Sequence, residues 1–344
     1  MYISNPKKIN TLLILEILKK YSDENNKLSQ KEIAALVENV YDVSIDRHTL
    51  KRNLDNLLEF QCGVEYAGRD KESGETGGWY YEREITDAEM RMLIDGLLFS
   101  KYIPYSECKA LIAKLESIAS VGFKSSYGLP ENRLENKEIF LNIEELMHAI
   151  STNKKVSFNY LRYGADSKTD KKANIVLGKS GRPRLYTVSP YEICVTNGNY
   201  YLICLHNLSD SLYHYRLNSI CNIKVLKSEK RRPIRDIPGY KNGFKLAEYM
   251  KEHPHMMASG ESVQVKLRFN KVAVGHIFEW FGKDIYLTDE SEETFTTFIR
   301  VNENAMLFWA LQYGLHVEVL EPQSLREKIG DTVVLIGEKY NRII

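Results

Sequence analysis

Asp46-Arg-His-Thr-Leu-Lys-Arg-Asn-Leu-Asp-Asn-Leu-Leu58 is the stretch from which the fold is read. Asp46 is a residue type that caps helix N-termini, and Leu50, Leu54, Leu57 and Leu58 recur at i, i+4, i+7 and i+8. That spacing predicts a helix with one apolar stripe. At 100° per residue, His48, Arg52 and Asn56 fall opposite the leucines, with Arg47 and Lys51 at the flank. Upstream, Ile9, Leu12, Leu13, Ile17 and Leu18 predict a first helix, and Ser29-Gln-Lys-Glu32 reads as a capping box opening a second, with Ile33, Leu36 and Val37 on one face. Downstream, Val64-Glu-Tyr66 and Trp79-Tyr-Tyr-Glu-Arg83 bracket the Gly-rich Glu72–Gly78, a hairpin signal. Three short helices and a hairpin predict a helix-turn-helix with a wing.

The polar face of the third helix has the chemistry a recognition helix needs: donors for base edges in the major groove and cations for the phosphates beside it. Arg69 and Lys71, near the hairpin tip, suit phosphate contact. A plainer reading is an amphipathic helix with a solvated exterior, or a protein-docking module, which the 15 acidic against 12 basic residues of 1–84 favour. The stretch resembles the winged helix-turn-helix of bacterial DeoR-like regulators, whose Arg-x-Thr-[Ile/Leu]-x-Arg-x-Leu pattern is matched by Arg47, Thr49, Leu50, Arg52 and Leu54. The resemblance adds Thr49 to the expected DNA contacts.

Composition bounds the rest. A chain of 344 residues with 43% hydrophobic and 27% charged residues predicts two or three domains with real cores and excludes disordered and collagenous classes. No apolar run approaches a membrane span and no signal peptide is indicated, so a soluble cytoplasmic protein is expected. The five cysteines (62, 108, 194, 204 and 221) are odd in number and form no Cys-x-x-Cys, which fits buried thiols in a reducing compartment. Charge is uneven: residues 150–245 hold 18 cations against 6 anions, while the segments on either side are acidic. That surplus of twelve predicts an anionic ligand or a solvated basic face.

Helices are expected over 86–103, 106–120 and 143–151, with a polar linker edge at 122–137. Strands at 155–160, 174–177, 185–195, 200–205, 212–217 and 223–226 predict a small barrel or strongly bent sheet. From Ser262 the order strand, helix, two strands, helix, strand, helix predicts a ferredoxin-like α+β domain.

Within the β-rich block, Ser189-Pro-Tyr, the Asn197-Gly198 turn, Tyr200-Tyr201-Leu202 and Tyr215-Arg-Leu-Asn-Ser-Ile220 resemble the WYL domain in type and order. The resemblance implies an Sm-like barrel that senses a ligand, in some members nucleic acid, within a bacterial transcription factor. Ser219 stands where the family has a second arginine, so the ligand differs or a cation such as Arg184 compensates. By strand alternation Tyr200 and Leu202 share one face and Tyr201 takes the other, where it would project into a site. Rings beside cations suit single-stranded nucleic acid or a nucleotide. Tyr160, His206 and Arg216 join Tyr201 and Arg184 as ligand candidates because they resemble the family's polar pocket positions, although each aromatic taken alone reads as core. The C-terminal residues resemble the extension that follows WYL domains.

No enzyme is expected and no cofactor is called for. Ala173–Ser180 fails as a P-loop because Ala173 occupies the first glycine position, and His253-Pro-His255 lacks further metal ligands. The reading is therefore an α+β multidomain protein: a winged helix-turn-helix (1–84), a helical linker (85–139), an Sm-like β-barrel (140–236) and a ferredoxin-like extension (262–344). Its expected function is a homodimeric regulator that binds double-stranded operator DNA and senses an anionic ligand. The alternative is an accessory protein whose WYL domain binds RNA or a partner enzyme.

Overall fold

The computed structural model describes residues 6–68, 77–100, 103–125, 128, 138–163, 173–207, 209–256, 259–288 and 291–341. They fall into two compact units, Met1–Arg133 and Leu134–Ile344.

The first unit begins with α1 (Pro6–Tyr21), α2 (Gln30–Tyr41) and α3 (Arg47–Glu59). Ser29 and Glu32 close a reciprocal capping box on α2. Asp46 caps α3 by accepting from the backbone N–H groups of His48 (3.0 Å) and Thr49 (2.9 Å). Leu13, Ile14, Ile17, Leu18, Ile33, Val37, Leu50, Leu54 and Leu57 pack into one core. Two stripe positions leave it: Leu12 is exposed because Ile14 takes the inward place, and Leu58 is exposed in the last turn of α3. Asn53 is buried instead, donating to the Thr49 carbonyl (2.7 Å) and accepting from the Thr11 hydroxyl.

β1 (Val64–Ala67) and β2 (Gly78–Tyr81) form an antiparallel pair. Trp79 exchanges backbone hydrogen bonds of 2.8 Å with Leu28, so the hairpin is tied to the turn before α2. Gly78 permits this approach, since a Cβ there would stand 3.0 Å from the Leu28 carbonyl oxygen. The hairpin tip, with Arg69 and Lys71, lies outside the described residues. α4 (Asp87–Phe99), opened by a Thr86–Glu89 capping box, and α5 (Tyr105–Glu116) complete the unit. Most of the linker edge expected at 122–137 also falls outside the described residues.

The second unit starts with α6 (Ile139–Ser151), four residues earlier than expected, and continues as β3 (Lys154–Tyr163), β4 (Ala173–Ile175), β5 (Tyr186–Thr196), β6 (Asn199–His206), β7 (Tyr213–Arg216) and β8 (Ile220–Lys230). Long β3 pairs with β4, β5 and β8, while β5, β6 and β7 follow as antiparallel neighbours. The β5–β6 turn places Asn197 and Gly198 at φ 48° and 72°, the left-handed pair that suits a two-residue hairpin.

The expected barrel does not close. Among the described residues β7 pairs with β6 and β8 with β3, and no ladder joins β7 to β8. A 3-10 turn, Leu217–Ser219, carries the chain between these edges and buries Leu217, so the ladder stops there. The result is an open, bent antiparallel sheet.

Both faces of that sheet are covered. On one, Ile139, Leu146 and Ala149 of α6 pack on Val156, Phe158, Val188, Leu202 and Cys204. On the other, Tyr191, Tyr201, Ile203 and Leu205 pack under Ile237, Met256 and Tyr249, the last from α7 (Leu246–Glu252). This covering segment carried no sequence signal.

The chain ends with β9 (Ser262–Asn270), α8 (Val274–Phe281), β10 (Leu287–Thr288), β11 (Thr294–Asn302), α9 (Glu303–Gln312), β12 (Val317–Glu321) and α10 (Gln323–Lys339). The strand order β10-β11-β9-β12 is antiparallel throughout. That is the order of a split β-α-β sheet, with α8 and α9 as its crossovers. Its core holds Val265, Leu267, Phe269, Ile277, Trp309 and Leu325.

Candidate functional site

Two surfaces carry the residues singled out from the sequence, and each lies within one unit. In the first, Arg47, His48, Lys51, Arg52 and Asn56 are exposed on α3 while Leu50, Leu54 and Leu57 are buried beneath them, and Thr49 is half-buried. Hydrogen bonds from Thr49 and from the His48 N–H hold the Asp46 carboxyl below its ordinary range, so the cap stays ionised. A cleft of about 590 Å³ lies between the starts of α2 and α3 and the hairpin, lined by Lys31, Arg47, Tyr66 and Trp79 among others. It sets a cation from each helix beside the rings of the wing. Lys31 and Tyr66 were not singled out in the sequence, because only the fold brings them to Arg47.

In the second unit the five ligand candidates separate onto two sides of the sheet. Tyr160 and His206 meet in an aromatic cluster with Tyr186 and Tyr215. Ring centroids of Tyr160 lie 5.1 Å from Tyr215 and 6.2 Å from Tyr186. The His206 Nε2 lies 2.7 Å from the Tyr215 hydroxyl, and its ring meets Tyr213 edge-on at 4.8 Å. The Arg184 guanidinium sits 4.8 Å over the Tyr186 ring and is exposed, so this cluster ends in a cation at the surface. Burial, and then the charge of Arg184, lower the His206 pKa, so its ring is neutral at pH 7. Burial also raises the Tyr215 hydroxyl above its ordinary value.

Tyr201 is not an accessible platform. It does take the face opposite Tyr200 and Leu202, but α7 and the segment before it cover that face and leave Tyr201 5% exposed. Arg216 stands over its ring at 5.9 Å at the edge of that cover and is itself exposed. Next to it, His214 Nε2 lies 2.6 Å from the Tyr249 hydroxyl, and Tyr249 stacks on His253 at 4.0 Å. Burial first, and then the neighbouring His253, depress the His214 pKa to about 3. β7 is thus two-sided: Tyr213 and Tyr215 join the His206 cluster, whereas His214 and Arg216 reach toward α7 and Tyr201.

Beside His206, a cavity of about 230 Å³ is lined by Lys155, Ser189, Lys230, Arg231 and Arg232. An adjoining one of about 340 Å³ shares Lys230 and Arg231 and adds Asn153 and Arg235. Part of this charge is used internally: Lys155 pairs with Glu229 at 3.2 Å and Arg232 with Asp210 at 2.8 Å. Arg231 donates to the Pro190 carbonyl (2.7 Å) and lies over Tyr191 at 5.3 Å. None of these cations was named from the sequence, although the run Lys230-Arg-Arg-Pro-Ile-Arg235 carries the signal. A cation-lined concavity beside clustered, edge-packed rings is suited to a phosphate-bearing ligand.

Comparison with known proteins follows the same division. Residues 142–225 match the WYL domain and residues 261–334 the WCX domain. The chain is similar to an uncharacterised HTH-type transcriptional regulator, YobV of Bacillus subtilis strain 168, with 24% identity over 155 residues, 45% of this chain and 46% of the relative. It therefore spans about half the length of that relative. Two solved structures are similar at low identity. Proteasome accessory factor B/C of Arthrobacter aurescens matches at 14% identity and TM-score 0.28, covering 93% of this chain and 47% of that one. A CRISPR Cas-related protein matches at 13% and 0.36, covering 99% and 87%. At those TM-scores neither carries an argument. The two domain matches fall on the bent sheet and on the split β-α-β sheet that follows it, so the second unit carries a WYL domain and a WCX domain.

Proposed function

We propose that the protein is a cytoplasmic transcriptional regulator that binds operator DNA as a homodimer through an N-terminal winged helix-turn-helix (1–84) and senses an anionic ligand through its WYL domain (140–236). On this reading 85–139 is a helical linker and 262–344 a ferredoxin-like extension. The observation that carries it is α3, which buries Leu50, Leu54 and Leu57 and exposes Arg47, His48, Lys51, Arg52 and Asn56 together. The HTH-type relative supports the same class. Among the described residues no helix is long and apolar enough to cross a membrane.

The ligand surface consists of Tyr160, Arg184 and His206 with the neighbouring cations Lys155, Lys230, Arg231 and Arg235, and its ligand is a nucleotide or single-stranded nucleic acid. Tyr201 is buried on the covered face, and Arg216 stands exposed beside it. Ligand binding shifts an existing equilibrium between arrangements of the DNA-binding domains by its differential affinity for them. A gel shift with DNA upstream of the protein's own coding sequence, against excess non-specific competitor, tests the reading. Selective binding is expected. Equal binding to all duplexes, or none at low salt, refutes it and leaves the accessory-protein alternative, which the acidic balance of residues 1–84 favours.

A further inference from the structure

The chain between β4 and β5 forms an exposed arm at the edge of the bent sheet. Past β4 it turns at Gly178–Gly181 and pairs back on itself. Gly178 donates to the Arg182 carbonyl (2.8 Å), Gly181 to the Gly178 carbonyl (3.0 Å) and Arg184 to the Val176 carbonyl (2.8 Å), while Leu177 and Pro183 are bridge partners. Gly181 takes φ 72°, a left-handed turn position that glycine fills without strain. All seven residues from Lys179 to Leu185 are exposed, so the backbone of the arm is fixed and its side chains are in solvent.

Its two sides differ. Leu177 faces Pro183 across the pair and Leu185 is two residues further on, so alternation puts these three on one side, with the leucines 58% and 63% exposed. Arg182 and Arg184 take the other side, and Lys179 stands at the turn. Between Ala173 and Tyr191 these cations are the only charged residues, with no carboxylate among them. The Arg184 guanidinium lies 4.8 Å over the Tyr186 ring, which joins the base of the arm to the His206 cluster. Among the described residues neither Lys179 nor Arg182 has an ion-pair partner.

We propose that this arm is a second duplex-DNA contact of the chain, one that enters an A·T-rich minor groove. Proline lacks an N–H and restricts the residue before it, so Arg182-Pro183 is held extended. Arginines two apart on an extended chain are separated by ~6.6 Å, close to two duplex steps of ~3.4 Å. The narrow A·T minor groove concentrates negative potential and draws in arginine, and leucine or proline beside the arginine wedges against base steps. The arm brings both chemistries to one exposed tip. Single-stranded nucleic acid would call for stacking rings, and Lys179–Leu185 has none. Reading the major groove would call for amide or carboxylate side chains, which are equally missing from that stretch. The proposal goes beyond the operator reading, which assigns DNA to α3, and rests on it only for the expectation that the protein meets duplex DNA.

Fluorescence anisotropy of the full chain with short labelled duplexes tests it, one built of A·T pairs, one of G·C pairs and one of inosine·C pairs. Inosine·C keeps the major groove of G·C but, lacking the guanine N2 amino group, has the minor groove of A·T. Lys179→Ala with Arg182→Ala should bind the A·T and inosine·C duplexes on the order of tenfold more weakly than wild type at low salt and the G·C duplex nearly as wild type does. With two cations gone the salt slope should be shallower by ~1.8, so that between about 50 and 200 mM salt wild type loses about tenfold more affinity than the variant. Lys179→Gln with Arg182→Gln, which keeps long side chains at the turn, must show the same losses. Unchanged binding by both pairs of variants, an equal loss on all three duplexes, or a loss confined to single strands overturns the inference; the last would make the arm a rim of the ligand surface. Failure of the operator reading looks different, since Arg52→Ala would then be silent on every duplex while the arm variants behaved as stated.

Discussion

Replacing His214 by Asn should flatten the acid limb of the stability curve. In the folded protein His214 has a pKa of about 3, against the ordinary 6.5, because burial penalises the imidazolium and His253 adjoins it. The sign follows from where the proton goes. Above about pH 6.5 both folded and unfolded forms are neutral and the contribution is fully present. Below it the unfolded chain takes a proton that the folded one refuses until near pH 3, so stability falls with pH across that window. At 1.36 kcal/mol per unit, the loss between pH 7 and pH 5 is about 2 kcal/mol from this residue. His206 and His253, whose pKa values are also lowered, add to the loss in the same direction and remain in the variant. Urea denaturation followed by fluorescence, with Trp280 and Trp309 both in the second unit, should show wild type losing about 2 kcal/mol more than His214→Asn over that range, at nearly constant m-value. Parallel curves would mean that His214 is solvated and charged at pH 5, and that the packing of α7 on β7 is not as described.

Arg52→Ala should weaken specific DNA binding by ~1–3 kcal/mol in a gel shift while changing stability by no more than about 0.5 kcal/mol; unchanged affinity removes α3 as the recognition helix. Tyr201→Ala should act as a core truncation, costing ~3 kcal/mol or more in denaturant melts, and Tyr201→Phe should bind ligand normally; a selective binding defect in the Phe variant would restore Tyr201 to the site. Lys230→Ala with Arg235→Ala should lower affinity for a labelled single-stranded oligonucleotide and make its salt slope shallower by roughly 0.7 per cation, with no change if the basic cavities bind nothing. Gly78→Ala places a Cβ 3.0 Å from the Leu28 carbonyl and should destabilise hairpin docking by ~1–3 kcal/mol, read as faster amide exchange at Trp79.

The sequence was most legible where a local rule decided the outcome. The caps at Ser29, Asp46 and Thr86, the leucine stripe of α3, the Asn197-Gly198 turn and the strand-helix order after Ser262 all depend on residues within a few positions of one another. What escaped it was non-local. Asn53, which the sequence reading passed over, is buried in the leucine stripe because Thr11 and the Thr49 carbonyl satisfy its amide. Alternation assigned Tyr201 to the correct face but could not say what covers it. The cover is a seven-residue helix and irregular chain whose apolar residues, Ile237, Tyr240, Phe244 and Tyr249, have no shared period. Closure of the bent sheet was equally hidden, since it turns on Leu217–Ser219, where the strand expected to run through 217 gives way to a 3-10 turn. The motif carried the fold of the WYL sheet well but did not separate its aromatics, which pack into cores on both of its faces.

The four residues of β7 limit how this protein can be re-engineered or can diverge. Successive side chains of a strand point to opposite faces, so Tyr213 and Tyr215 cannot be re-aimed without turning His214 and Arg216 as well. Any backbone adjustment at the His206 cluster therefore reaches the Tyr249 hydroxyl and the Tyr201 ring on the reverse side. Substitution is freer at Arg184, which precedes β5 and whose side chain is exposed, than at β7. If the proposed ligand surface holds, libraries aimed at a new effector should thus randomise around Arg184 and Lys230–Arg235 and hold Tyr213–Arg216 fixed.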